Sequence, residues 1–276
     1  MFRTRIVILL ITISVIFISY QNIKSNLIAE RNNVSISVNE PSIQKSNLNI
    51  AVVGDVHLNQ GRDSLNDFVS VIKDIRTVHP DLVLFVGDYT TDPKKVVDIA
   101  KHRSAIAAIV KLLDRIPVAL VLGNYESWSN ADEWYSAFKK RGLNILENET
   151  IIFEKPLKNI CVRGLGDYYT DRFKYIPFPE ECKKMVKITL THDPAGAFHK
   201  DVTGLVISGH THCGQIRFPL IGSLWVPTEA PSETHCGLYK DSQRTVFTTS
   251  GLGTALLPLR IGTQAQWDFL TIELGN

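Results

Sequence analysis

Ile50-Ala51-Val52-Val53-Gly54-Asp55-Val56-His57 is a short apolar run that breaks at a glycine and then offers a carboxylate and an imidazole. The same arrangement returns along the chain. Leu82 to Val86 leads into Gly87-Asp88, Val118 to Leu122 into Gly123-Asn124, and Leu205 to Ile207 into Gly209-His210-Thr211-His212. The run Val186 to Thr191 ends at His192-Asp193-Pro194. Short β-branched runs of this kind read as buried strands, and parallel strands set their carboxyl ends side by side. Ligands just beyond several such strands can therefore meet. Asp55, His57, Asp88, Asn124, His192, His210 and His212 are too many for one tetrahedral zinc, and they suit two ions sharing a bridging carboxylate. Taken singly, each fragment also reads as a turn, a cap or an exposed polar residue. Their common order and placement make the metal reading the stronger one.

From Leu48 onward the pattern is strand, ligand loop, helix. Asp63 or Ser64 is placed to cap a helix to about Val78, with Leu65, Phe68, Val69, Ile72 and Ile75 on one face and Pro80 beyond its end. Pro93 opens a long helix predicted through Ile116, and Ala131 to Arg141 forms another, stopped by Gly142. Beyond residue 143 the elements shorten. Asn144–Leu146, Thr150–Phe153, Ile160–Val162, Val186–Thr191, Leu205–Ser208, Thr245–Thr249 and Phe269–Leu274 read as strands. Alternating β and α followed by mostly β predicts an α/β layered sandwich with two sheets. Gln215 to Gly237 is a long irregular stretch, of a length that marks function or disorder in a compact domain.

Ahead of this region the composition changes. Ile6 to Tyr20 is nearly unbroken apolar sequence behind Arg3 and Arg5. At about 1.5 Å per residue it spans roughly 22 Å, short of the roughly 30 Å hydrocarbon core. Snorkelling arginines and an interfacial Tyr20 close that gap. No small-residue cleavage site follows, which favours an uncleaved anchor over a removed signal peptide. The positive-inside tendency then keeps Arg3 and Arg5 in the cytoplasm and exports the rest. The expected organisation is an anchor over residues 1–20, a stalk over 21–47 with an added edge strand at Val34–Val38, and one domain over 48–276. The net charge is only +2, and no Lys/Arg block is interleaved with aromatics, so no nucleic-acid partner is expected. Cys161, Cys182, Cys213 and Cys236 form no CxxC pair, which argues against a structural zinc site. Cys161 and Cys182 are expected as isolated thiols, and an exported domain would allow a Cys213–Cys236 bridge.

The ordered set Asp55-x-His57, Gly87-Asp88, Gly123-Asn124, His192 and Gly209-His210-Thr211-His212 resembles the calcineurin-like metallophosphoesterase superfamily, over roughly residues 48–274. Gly209 to Gln215 and the tail Ser250-Gly251-Leu252-Gly253-Thr254 with Leu259-Arg260 are similar to its membrane-associated branch. That branch contains small bacterial phosphodiesterases and UDP-2,3-diacylglucosamine pyrophosphatases, and usually has Gly where this chain has Cys213. The resemblance implies a four-layer α/β/β/α sandwich behind the hydrophobic anchor. It implies two divalent ions (Mn, Fe or Zn), one on Asp55, His57, Asp88 and His212, the other on Asp88, Asn124, His192 and His210. It further implies a hydrolase of phosphodiester or pyrophosphate bonds, lipid-linked ones included, in which a hydroxide between the ions attacks phosphorus. Its place would be a bacterial inner membrane, with the catalytic domain outside the cytoplasm.

One position departs from the family pattern. Where the motif normally reads Gly-Asn-His-Glu or Gly-Asn-His-Asp, this chain has Gly123-Asn124-Tyr125-Glu126. Tyrosine is a weaker acid than imidazolium at neutral pH, so Tyr125 suits a leaving group that needs little protonation, such as the phosphate released from a pyrophosphate. The competing reading is a catalytically weak metal-binding scaffold that docks partner proteins. Asp92 is expected to cap the helix that Pro93 opens rather than to bind metal. Asp167, in Gly164-Leu165-Gly166-Asp167, either borders the site or sits in a solvated turn. The apolar segment Phe218 to Pro227 either contacts acyl chains or a bilayer, or packs on the second sheet. His79, His102, His199 and His235 are expected in surface or core roles.

Overall fold

The computed structural model describes residues 29–38, 45–113, 115–154, 159–218, 220–223 and 225–275, together with Thr12. The anchor expected over residues 6–20 lies, Thr12 apart, outside the described residues. Among those described, no helix is long and apolar enough to cross a membrane.

In chain order the first elements are β1 (Glu30–Val38), β2 (Ser46–Val53), α1 (Arg62–Thr77), β3 (Leu82–Phe85), α2 (Ile99–Val110), β4 (Val118–Leu120), α3 (Asn124–Trp128), α4 (Ala131–Lys140) and β5 (Asn144–Ile145). There follow β6 (Glu149–Phe153), β7 (Ile160–Gly164), β8 (Val186–Leu190), β9 (Gly204–Ser208), β10 (Arg217–Phe218), β11 (Gly222–Ser223), β12 (Gly237–Lys240), β13 (Arg244–Thr248) and β14 (Gln266–Leu274). One six-stranded sheet has the order β1-β14-β2-β3-β4-β5, the other β12-β13-β9-β8-β7-β6. Strands β2, β3, β4 and β5 run parallel, as do β7, β8, β9 and β13. The edge strand expected from Val34 begins at Glu30 and pairs in parallel with β14 along its whole length.

Side-chain alternation explains why the runs read as continuously apolar. Leu48, Ile50 and Val52 of β2 enter a core between the sheets, where they meet Val162, Ile188, Ile207 and Phe247. Ala51 and Val53 point the other way, toward Phe68 and Ile72 of α1, Ile106 and Val110 of α2, and Trp134 and Phe138 of α4.

Four sequence expectations change. The cap of α1 is Gly61, without a side-chain bond, while Ser64 Oγ instead accepts from the Asn59 N–H. The long helix from Pro93 to Ile116 is broken. Asp92 caps a single 3-10 turn, Pro93–Lys95, and Asp98 starts α2 by accepting from the Lys101 N–H. Two caps this close each satisfy free helix-start donors and so end a continuous helix between them. The fourth layer is not α-helical among the described residues. The outer face of the second sheet (Leu165, Val206, Val246) lies under Phe173, Tyr175 and Phe198, carried by a loop and by the 3-10 turn Pro194–Phe198. Finally, Cys161 and Cys182 are bridged rather than isolated, with Cα atoms 5.8 Å apart. The irregular loop after β7 folds back over its own strand, a return that no local pattern announces.

Candidate metal centre

The seven sequence-selected residues all lie beyond strand carboxyl ends: Asp55 and His57 after β2, Asp88 after β3, Asn124 after β4, His192 after β8, and His210 and His212 after β9. Backbone bonds lace these loops together. The Asp55 N–H donates to Gly87 O at 3.0 Å, and the Val56 and His57 N–H groups donate to Asp88 O at 2.7 and 3.0 Å. Gly209 N–H donates to His192 O at 2.9 Å, joining the two loops of the second sheet. Asp55, His57, Asp88, His210 and His212 all adopt left-handed backbone with φ between 47° and 68°. Such strain costs on the order of 1–2 kcal/mol per residue and persists because the lacing leaves no alternative.

The structure brings all seven together. Two groups form, Asp55 with His57 and His212, and Asp88 with His192 and His210. Asp88 Oδ2 lies between them, 3.3 Å from His192 Nε2 and 3.6 Å from His57 Nε2. Asn124 Oδ1 is 3.1 Å from His192 Nε2, and His210 Nδ1 is 3.2 Å from the same atom. His57 Nε2 and His212 Nε2 face each other at 3.0 Å. Outer contacts fix which nitrogen faces inward. His192 Nδ1 meets Val86 O at 2.7 Å, and His210 Nε2 meets Pro227 O at 2.6 Å. Facing imidazole nitrogens and a shared carboxylate oxygen, all buried, make a donor set that divalent ions fit.

Charge in the centre follows burial and proximity. Burial pushes Asp55 up to about 7, against the pull of His192. It pushes His57 down to about 4, and His212 well below the usual imidazole range, helped there by the charges of His57 and Arg260. Asp88 resists its burial, because the charge and hydrogen bond of His192 hold it down to about 2. Burial likewise opposes the charged form of His192, but Asp88 wins and raises its pKa well above normal.

A pH dependence follows. The raised pKa of Asp55 means that the metal-free fold keeps a proton there below about pH 7. That proton stabilises the metal-free fold in acid, and the benefit disappears as pH rises through about 7. An incoming ion must displace it. Affinity for Mn, measured by equilibrium dialysis, should therefore fall at least about tenfold per pH unit below 7. A flat profile there would contradict the proton held on Asp55.

Three groups beyond the seven proposed ligands shape the centre. Glu126, fully buried, accepts from the N–H groups of Asp88, Tyr89, Thr90 and Gly123 at 2.8–3.0 Å. It pins the Asp88 loop to the start of α3. Burial and the charge of Asp88 raise its pKa, while the N–H donors oppose that rise. Gly123 is a close approach: a Cβ there would stand 2.3 Å from Asp88 Oδ1 and 2.8 Å from His192 Cε1. Arg260, also fully buried, donates to Ser250 O and Gly251 O at 2.8 and 3.1 Å and to Gly253 O, and lies 3.4 Å from His212 Nδ1. The loop it organises lies on the Asp55 turn, with Gly253 N–H donating to Asp55 O at 2.7 Å.

Tyr125 stands edge-on to His57 at 4.6 Å, and its N–H donates to Asp88 Oδ1 at 2.9 Å. Burial and the charges of Asp88 and Asp92 push its hydroxyl up to about 12. It therefore stays neutral and can donate. Asp167 is buried rather than solvated, and feels the charges of His192 and His210, so it borders the site. Asp92 does cap, but what it caps is the short 3-10 turn Pro93–Lys95 rather than a long helix. His102 and His235 bond backbone carbonyls, of Leu58 and Ala230. Cys213, directly after His212, is bridged to Cys236.

The fold and this donor cluster define a metallophosphoesterase. A profile described as calcineurin-like phosphoesterase matches residues 48–214, and the chain belongs to that family. Phosphodiesterase YaeI of Escherichia coli is 26% identical over 199 residues, 70% of each chain. A protein of Danio rerio named transmembrane protein with metallophosphoesterase domain is 26% identical over 252 residues. That match takes in 84% of this chain but spans only 55% of the relative. Among solved structures, a dimetal phosphatase from Danio rerio superposes with a TM-score of 0.50, covering 82% of this chain and 92% of that one at 13% identity, a likeness of fold alone.

Proposed function

We propose that the chain is a membrane-anchored, extracytoplasmic hydrolase of phosphodiester or pyrophosphate bonds, lipid-linked ones included, working with two divalent ions. The observation that carries the reading is Asp88 Oδ2, set between an imidazole of each donor group. Asp55, His57, Asp88 and His212 would hold one ion, and Asp88, Asn124, His192 and His210 the other. Imidazole-rich sets with few carboxylates suit Mn, Fe or Zn. When bound, two such ions lower the pKa of a water and neutralise phosphoryl charge. The chain's own part is orientation. Val86 O and Pro227 O fix the rings of His192 and His210, and Glu126 fixes the Asp88 turn. Tyr125 supplies a neutral hydroxyl as hydrogen-bond donor to a phosphoryl or leaving oxygen. Two disulfides fit an oxidising compartment and so support export.

The test is a panel of soluble phosphodiester, lipid-linked phosphodiester and nucleotide pyrophosphate, run on protein reconstituted with Mn, Fe or Zn, with Asp88→Asn as the blank. Metal-dependent turnover of at least one member is expected. Bound metal with no turnover on any member would overturn the hydrolase reading. The panel also reads the role of Tyr125. Tyr125→His should raise turnover of alkyl phosphodiesters about tenfold more than that of pyrophosphates, because an alkoxide leaving group needs a proton and a phosphate does not. Equal gains on both classes would remove the leaving-group explanation.

A further inference from the structure

We propose that two loops beside the centre form a docking surface for a lipid bilayer, so that the face carrying the metal site rests on the membrane. The proposal rests on the reading of residues 6–20 as an anchor and deepens it by naming the surface that meets the lipid. The first loop is the hairpin of β10 and β11, whose tip carries Leu220 and Ile221, 108% and 73% exposed, with Trp225 at 65% just after it. The second carries Leu256 and Leu257, 74% and 55% exposed. Single exposed apolar residues are ordinary, but a linked group of this size marks an interaction surface.

Gln215 links the two loops. Its Nε2 donates to Ala255 O, Leu257 O and Leu259 O at 2.9–3.1 Å, and its Oε1 accepts from Ala255 N–H at 2.8 Å. Ile216 and Ile261 bridge beside it. The surface also adjoins the site. Thr254, on the second loop, lines a cavity of about 680 Å³ together with His57.

Two features select a bilayer as the occupant. Ala29 lines that same cavity. Only residues 21–28 separate it from Tyr20, the end of the apolar run, and eight residues reach at most about 30 Å. An anchored chain therefore keeps this face within a short tether of the lipid. In addition, residues 215–228 and 249–267 contain no Asp or Glu, while Arg217 is exposed at the hairpin base. Neither loop itself carries a carboxylate that an anionic headgroup layer would repel, although Asp67 and Asp74 line the neighbouring cavity, and an interfacial Trp beside Leu and Ile is the composition that such a layer takes up.

The full chain is reconstituted into phosphatidylethanolamine–phosphatidylglycerol vesicles, with and without brominated acyl chains, and Trp225 emission is taken as the difference from Trp225→Phe. About twofold quenching by the brominated lipid is expected, lost in Leu220→Asp/Ile221→Asp while turnover of a soluble diester stays unchanged. A chain that co-floats with the vesicles but shows no Trp225 quenching overturns the docking surface and leaves the anchor standing. Efficient chain-to-chain cross-linking through Ile221→Cys, without quenching, would make the patch a contact between copies and also overturn the proposal. A chain that does not co-float overturns anchor and docking surface together. Quenching without turnover of any diester or pyrophosphate would strike the hydrolase reading alone.

Discussion

Asp88→Asn should abolish turnover, by about a thousandfold or more, and lower bound metal from two ions per chain to at most one. The substitution exchanges a charged carboxylate for a neutral amide of the same shape. Asn retains an oxygen to accept the Tyr125 N–H now donated to Asp88 Oδ1, so the turn itself has reason to survive. What disappears is the negative charge at the position of Oδ2, between His192 and His57. An amide cannot offset the repulsion of two cations, and with its oxygen on the Tyr125 N–H it sets an NH₂ donor where Oδ2 stood. Metal content by plasma emission spectroscopy, with turnover on the same sample, checks this. Activity within tenfold of wild type would show that Asp88 is not the shared ligand.

Glu126→Ala should have the largest effect on stability. Four buried N–H groups, from Asp88, Tyr89, Thr90 and Gly123, would lose their acceptor together. Each unpaired buried donor costs about 1–3 kcal/mol, so the loss reaches about 4 kcal/mol or more, a large part of the roughly 5–15 kcal/mol that folds a domain. For a domain of this size that lowers Tm by about 10 °C. Metal binding should weaken with it, since the Asp88 turn is no longer held to α3. Glu126→Gln should fall between wild type and Ala, because it keeps one acceptor oxygen but turns an NH₂ toward donors. A Tm shift of under about 2 °C for Glu126→Ala would contradict the clamp.

The ligands were legible in the sequence because each announces itself locally: an apolar strand, a glycine, then a donor. Parallel strand order lines up the donors within each sheet, and the packing of the two sheets face to face, which no local pattern gives, brings Asp55 and His212 together. Glu126 shows only as the last residue of the Gly123-Asn124-Tyr125-Glu126 motif, with no role attached. Its role lies in four donors, three of them from a segment about 37 residues upstream, and a Glu in the first turn of a helix reads simply as favourable charge. Arg260 was visible only as part of a tail motif, since its partners are carbonyls that every sequence possesses. The long second helix failed because apolar spacing continued across Val96 and Ile99 while two aspartate caps interrupted the backbone. The bridge from Cys161 to Cys182 depends on where an irregular loop returns, and spacing cannot give that.

Anomalous diffraction from crystals soaked in Mn tests the central claim most directly. Two peaks about 3.5–4 Å apart are expected, one on either side of the Asp88 carboxylate, with His57 and His212 near the first and His192 and His210 near the second. A single peak, or two peaks that do not share Asp88, would contradict the account.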